Sequence, residues 1–514
     1  MPSHGQVSAV RFNEFTFRPD QDKARDMVID SLHRGKKRPM LQAPCAWGKT
    51  IFAAGLFRGV LGKGKKAMFV VPLKSLIDQT HDKFCRAGIH DVGIIQADHP
   101  LTNPDASIQI ASVQTLMRRK IPKVDLVMPD EAHKRFKFYS EWMADPDWAK
   151  VPFVGLSGTP WSEGLASDFD DLLIPTTSKE MLERGLLSQY RLLAPTLTGS
   201  RPDLKGLPTD GRDYAKGPLS KRMRTKKLVC GAVETWLAKG EDRPTLVFCV
   251  DRAHAKDVEE EYRNAGISTA YVDKDTDRDV RKDIGEKFNA GEIQVVVSIA
   301  TLIVGVDWDV RCIQWLRPTK SEILWVQGNA RGFRLAEGKD DCLILDHSWN
   351  TNNLGNPTDI HYDFLDDGTP STAEKTQRKK KERKELFPEE CIRCGYYKEA
   401  GVSKCPDCGF EVRKRGNVEY LQGELVEVRH NPAKEKADHN TKQLWYSQLL
   451  WIQDQRRYSD GWTANAYRRR FEVWPRSLSR IRTPASQEVL NFVKAGIMEY
   501  HRAQKLQQEM KLAV

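Results

Sequence analysis

The feature that most restricts the fold is a rhythm. Short, mostly apolar runs of six or seven residues recur along the chain, separated by longer amphipathic stretches, and the whole pattern occurs twice. The first series, between about residues 20 and 190, holds AMFVVP (67–72), IQIASV (108–113), VDLVMPD (124–130) and FVGLSGT (153–159). The second holds TLVFCV (245–250), STAYVD (268–273), IQVVVSI (293–299), CIQWLR (312–317) and DCLILD (341–346). Strands that lack an apolar/polar alternation are buried on both faces, and strands that alternate with helices form parallel sheets. A chain of 514 residues is also too long for one core. The expectation is α/β, with two tandem parallel-sheet domains at residues 1–195 and 196–370. Residues 198–225, rich in Gly, Pro and charge, read as a linker or long loop between them.

After residue 370 the rhythm stops. KTQRKKKERK (375–384) carries seven basic residues and one acidic one, and reads as a solvated linker or helix start spanning 371–386. Cys391-x2-Cys394 and Cys405-x2-Cys408 follow, ten residues apart. Two such pairs can set four thiolates tetrahedrally around one Zn²⁺, and Gly395 and Gly409 suit the tight turns of a zinc ribbon at 387–415. A redox Cys-x-x-Cys would need only one pair. Whether the ribbon is a staple or a DNA contact stays open. The other six cysteines are scattered, which fits a reducing cytosol. The rest, 416–514, reads as a helical domain. Within it, 441–482 hold nine basic, three acidic and eight aromatic residues. Most of those aromatics read as a helix core, and some of Arg468, Arg469 and Arg470 as nucleic-acid contacts. A net charge of +11 favours a polyanionic partner. No apolar run reaches the roughly 18 residues of a membrane helix, and the first residues lack an export pattern. The expected location is cytoplasmic.

The segment LQAPCAWGKTIF carries the chemistry. Ala43 to Thr50 fits A/G-x-x-x-x-G-K-S/T, after the apolar Pro39-Met40-Leu41 and before a helix-like IFAAGLF. A phosphate cradle needs inward-facing backbone N–H groups, which Gly48 permits. Lys49 would reach the β/γ-phosphates and the Thr50 hydroxyl a Mg²⁺ ion. Ala43, Pro44, Cys45, Ala46 and Trp47 complete the nucleotide-binding loop, and the side chains of Cys45, Ala46 and Trp47 are expected on the outside of the turn, where they leave the backbone cradle intact. The bland alternative is a Lys-Thr after an ordinary turn. VDLVMPDEAH supplies the rest: Asp130 at a strand end to hold Mg²⁺, Glu131 to orient the attacking water, and His133 to couple to the second domain. Pro129 removes one backbone donor there.

This ordered set resembles the superfamily 2 helicase-type ATPases of the Asp-Glu-Ala-His group. The resemblance runs from about residue 17 to 346. It implies that Phe17-Arg18-Pro19-Asp20-Gln21 reads the adenine of ATP, with Arg18 and Gln21 at the base. It implies that Pro72, Lys74, Ser112, Gln114, Thr115, Arg252 and Thr301 meet the nucleic acid. Ser157-Gly158-Thr159-Pro160 would link hydrolysis to movement. Gly305 and Asp307 would touch nucleotide, and Gln327, Arg331 and Arg334 would form the arginine-finger helix, neutralising charge on the transferred phosphoryl group. Departures are Cys45, Ala46, Pro129, and Ala330 where Gly is usual. Residues 316–346 look closest to RadD-type bacterial DNA-repair ATPases, and the tail looks like the ends of phage-encoded helicases. Single-strand-binding or recombination proteins are the implied protein partners. Three readings follow: an ATP-driven DNA motor, an RNA-dependent remodeller of the same fold, and a zinc-ribbon adaptor that binds nucleotide without turnover.

Overall fold

The computed structural model describes residues 16–97, 99–195, 202–211, 213–299 and 308–384, then 389–390, 397–398, 409–410, 425–428, 438–471, 473–475, 478–490 and 492–493. The chain divides into two compact units, Met1–Arg429 and His430–Val514.

In the first unit the doubled rhythm becomes two lobes. The first lobe is built on Pro39–Gln42 (β1), Ala67–Val71 (β2), Val92–Ile95 (β3), Ile108–Ser112 (β4), Leu126–Pro129 (β5), Gly155–Ser157 (β6) and Asp171–Leu173 (β7). Their order is β3-β4-β2-β5 and β6-β1-β7, parallel throughout. A parallel bridge between Val127 and Phe153 joins the two sets, and the Ala132 N–H donates to the Leu156 carbonyl at 2.9 Å. Most strand residues are fully buried. That explains the continuous apolar runs, because helices such as Lys49–Leu61 and Ile77–Arg86 supply apolar side chains to the same core.

The second lobe uses Gln189–Pro195 (β8), a hairpin of Thr209–Asp210 (β9) and Asp213–Tyr214 (β10), then Thr245–Phe248 (β11), Thr269–Val272 (β12), Val295–Ser298 (β13), Cys312–Trp315 (β14) and Asp341–Asp346 (β15). The sheet order is β12-β13-β11-β14-β15-β8, again parallel, with Leu425–Val428 added antiparallel at the edge.

Three boundaries differ from the sequence reading. β8, placed at the end of the first domain, pairs with β15 along residues Gln189 to Leu193 and belongs to the second sheet. Residues 198–225 are more than a linker. The helix Lys216–Met223 buries Leu219 and Met223 against Val250, and the Asp213 carboxylate accepts from Thr319 Oγ1 and the Lys320 N–H, each at 2.9 Å. Leu204, Leu207 and Tyr214 pack against the same cluster, so a segment whose average composition is that of a loop is docked by a few apolar anchors. Leu425–Val428, assigned to the C-terminal domain, returns to the second lobe.

The basic stretch continues the helix Pro370–Lys384. Lys379 pairs with Asp363 at 2.9 Å and Lys380 with the buried Glu322 at 3.5 Å, so the stretch is tethered. In the second unit, helices His439–Arg456 and Asp460–Phe471 bury Trp445, Tyr446, Leu449, Leu450 and Tyr467. Trp474 stays 45% exposed. Arg468, Arg469 and Arg470 lie over the rings of Trp474, Phe492 and Trp445 at 4.7, 4.4 and 4.8 Å. Two of the three arginines therefore cover core aromatics. Cys391, Cys394, Cys405 and Cys408 lie outside the described residues. Among the described residues, no helix is long and apolar enough to cross a membrane.

Candidate nucleotide site between the lobes

β1 ends at Gln42, and the loop 43–48 leads directly into the helix Lys49–Leu61. Gly48 caps that helix with φ 96°, a left-handed conformation, and no side chain caps the first N–H groups. Ala46 is also left-handed, at φ 66°, where a side chain costs energy that glycine would not. An uncapped helix N-terminus behind a loop of this kind is an anion cradle. Gly158 explains the close approach of the next loop: a Cβ there would stand 2.9 Å from Cys45 Sγ.

The unusual loop residues divide. Trp47 does not line the outside of the turn. It is fully buried, with its ring 5.1 Å from that of Phe52. Its carbonyl accepts from Arg18 Nη2 at 2.7 Å and Gln21 Nε2 at 3.3 Å. The side chain anchors the loop from below while its backbone ties the loop to the first helix. Gln21 is itself buried and its Oε1 accepts from the Arg18 N–H. Arg18 and Gln21 thus brace the loop, a role the sequence did not disclose.

Opposite the loop, β5 delivers Asp130 and Glu131. Glu131 is left-handed at φ 48°, a strained conformation of the kind held at functional sites by surrounding contacts. Its carboxylate is enclosed by three groups. Lys49 Nζ lies 2.8 Å from Oε1, Gln327 Nε2 donates to Oε2 at 3.0 Å, and His133 Nδ1 is 3.3 Å from Oε2. Burial alone would raise the Glu131 pKa. The Lys49 ammonium overrides it, and the carboxyl is held down to about 2. Asp130 moves the other way. Burial pushes it up to about 6 against the pull of Lys49, with Glu131 repelling it. Two adjacent carboxylates are thereby split into an anchored anion and a group whose charge calls for a cation. The hard-oxygen donors Thr50 and Asp130, beside an uncapped helix terminus, fit Mg²⁺ carrying phosphate.

The second lobe reaches this centre through the helix Glu322–Asn329. Gln327 Nε2 also donates to Thr159 Oγ1 at 3.0 Å, so one amide ties the acid and the Ser-Gly-Thr-Pro loop of the first lobe to the second. The helix is fixed from behind. Trp315 Nε1 donates to Asn329 Oδ1, and Tyr362 donates to Glu322 Oε2. Arg331 and Arg334 both lie within electrostatic reach of the Cys45 thiol, which burial raises and Lys49 lowers.

His133 was expected to couple to the second lobe. Its ring nitrogen instead meets Ser157 Oγ at 2.9 Å, inside the first lobe. Burial drives its pKa down to about 4, so it is neutral. Of the candidate strand contacts, Gln114 Nε2 donates to the Pro72 carbonyl at 2.6 Å, and the Ser112 and Thr115 hydroxyls hydrogen-bond each other at 2.8 Å. Lys74 is exposed. Arg252 is paired with Asp273 at 2.7 Å and with Asp275, so meeting a phosphate would mean leaving two carboxylates. Thr301, Gly305 and Asp307 lie outside the described residues. The segment after β15 carries contacts with no sequence signal. Tyr362 meets the Trp161 ring at 5.5 Å, and Asp366 Oδ1 accepts from the Gly164 N–H at 3.1 Å, strapping the lobes together beside the site.

Each lobe is matched by a separate family model. Residues 14–161 match the family model described as the res subunit of type III restriction enzymes, and residues 226–336 match the helicase conserved C-terminal domain. A Saccharomyces cerevisiae protein, IRC3, named as a candidate ATP-dependent helicase, is 28% identical over 63% of this chain. This chain spans 50% of that relative's length. A 51.5 kDa protein of a Lactococcus phage is 23% identical, over 77% of this chain and 84% of its own. Among solved structures, a fragment of a candidate HsdR subunit of a type I restriction enzyme from Vibrio vulnificus YJ016 superposes with a TM-score of 0.50 at 19% identity. It covers 68% of this chain and 66% of its own, and shares the fold.

Proposed function

We propose that this chain, which carries the two-part motor core of superfamily 2 helicases, is an ATP-dependent DNA helicase or translocase. It hydrolyses ATP in the cleft between its lobes and moves on or remodels DNA during replication, recombination or repair. The observation that carries the reading is the Gln327 amide resting on Glu131 and Thr159, since it joins the acid of one lobe to the finger helix of the other.

The residues divide the work. Arg18 and Gln21 brace the loop beside the adenine. The cradle amides and Lys49 take the phosphates. Thr50 and Asp130 would hold Mg²⁺, which would supply charge neutralisation to the phosphates when bound. Glu131, held ionised, orients water for in-line attack, and Arg331 and Arg334 neutralise the charge that develops. Loss of the γ-phosphate weakens the attraction between lobes, and opening of the cleft shifts one set of strand contacts against the other. Pro72, Lys74, Ser112, Gln114, Thr115, Arg252, Thr301 and the basic tail supply the contacts to the DNA backbone. The four cysteines 391, 394, 405 and 408 hold Zn²⁺, and the protein works in the cytoplasm, with single-strand-binding or recombination proteins as partners.

The test is phosphate release by purified full-length protein, with and without matched DNA and RNA oligonucleotides, with Lys49→Ala as control. DNA should stimulate turnover more than tenfold, and Lys49→Ala should abolish it. Stronger stimulation by RNA would reassign the substrate. Turnover unchanged by Lys49→Ala would sink the motor.

A further inference from the structure

Lys339 sits in the turn between the arginine segment and β15. Its ammonium donates three hydrogen bonds, all to backbone carbonyls: Gly332 at 2.6 Å, Val310 at 2.8 Å and Arg334 at 2.9 Å. An ammonium has three donors and no acceptor, so its capacity is fully used. Burial lowers its pKa, and the carbonyl dipoles are what make a charge tolerable there. Two of the three acceptors belong to the segment that carries Arg331 and Arg334. The third precedes β14, the strand beneath the finger helix. Arg311 adds a second clasp, donating to the carbonyls of Gly338 at 2.6 Å and Glu337 at 2.7 Å while Asp309 holds it at 2.9 Å.

The geometry is informative because Lys339 grips the segment by its main-chain carbonyls. A carboxylate partner would draw the guanidiniums away from phosphate. A cation on the main chain instead fixes where they start. The helix Glu322–Asn329 fixes one end of the segment through Trp315 and Tyr362. Lys339 fixes the other.

We propose that Lys339 is a positioning residue for Arg331 and Arg334, setting the main-chain path from which both guanidiniums reach the γ-phosphate. This rests on the reading of those arginines as the groups that neutralise transition-state charge. Small displacements of such groups cost rate far more than affinity.

The experiment compares Lys339→Met in the full-length protein and in an Arg331→Ala, Arg334→Ala background, in single turnovers of radiolabelled ATP with saturating DNA. In the parent, Lys339→Met should lower kcat at least tenfold and move KM for ATP less than threefold. In the background without fingers it should cost less than twofold, because there is nothing left to place. Lys339→Gln, which keeps two donors, should fall between Met and wild type. An equal cost in both backgrounds would mean a general structural defect and overturn the proposal, as would wild-type kcat in Lys339→Met. Absence of turnover in the wild type, by contrast, would refute the motor itself.

Discussion

Removing the charge of Glu131 tests the centre of the site, because the structure fixes the sign of two opposite effects. The Lys49 ammonium lies 2.8 Å from Glu131, and both side chains are only 11% exposed. Phosphate must take that ammonium from the carboxylate before it can be held. At an effective dielectric near 20, two unit charges about 4 Å apart attract by about 4 kcal/mol. Desolvation offsets most of this, leaving a net competition of about 1–2 kcal/mol. Since 1.4 kcal/mol is about a factor of ten, Glu131→Gln should bind a fluorescent ATP analogue with Mg²⁺ about 5- to 30-fold more tightly while losing hydrolysis. Without nucleotide the same variant should be less stable, by up to about 3 kcal/mol, since a buried ammonium is left without its anion. Nucleotide should restore it. Titration and thermal unfolding, each with and without nucleotide, read both signs. If Glu131→Gln bound nucleotide more weakly and hydrolysed it normally, Glu131 would neither compete for Lys49 nor orient water.

Gln327→Ala removes two hydrogen bonds that join the lobes, one to a charged carboxylate worth about 1.5–3 kcal/mol; DNA-stimulated kcat should fall 10- to 100-fold with little change in KM, and full turnover would refute the coupling. His254 is buried, accepts the Val250 N–H at Nδ1, and is pushed down to about 4 by burial. Above pH 6.5 both states leave it neutral, and between 6.5 and 4 the unfolded chain binds the proton first. Stability should therefore drop on acidification by about 3 kcal/mol from this group, and urea unfolding of His254→Gln from pH 7.5 to 5 should show a flatter decline. One zinc per chain is expected by elemental analysis of reduced protein and should be lost in Cys405→Ser; protein purified without any metal would remove the ribbon.

Local chemistry was legible wherever it follows the backbone. The strands appeared as apolar runs because both sheet faces are covered, and the ends of β1 and β5 announced Lys49, Thr50, Asp130 and Glu131 because such groups must sit where a parallel strand gives way to a loop. Trp47 misled because a large ring in a loop can turn inward as readily as outward, and only the packing against Phe52 decides. The 198–225 segment misled because docking depends on a few apolar anchors, which composition averages away.

By itself, then, the sequence determined two parallel-sheet lobes, the loop that leads into the helix at Lys49, and the acid pair at the end of β5. Periodicity and strand-end chemistry are local properties. Tertiary structure alone decided that β8 crosses to the second sheet, that Gln327 closes on Glu131 across 196 residues of chain, and that Lys339 grips the backbone behind the arginines. Those are contacts between segments distant in sequence, and a main-chain carbonyl as acceptor carries no residue identity for a sequence to display.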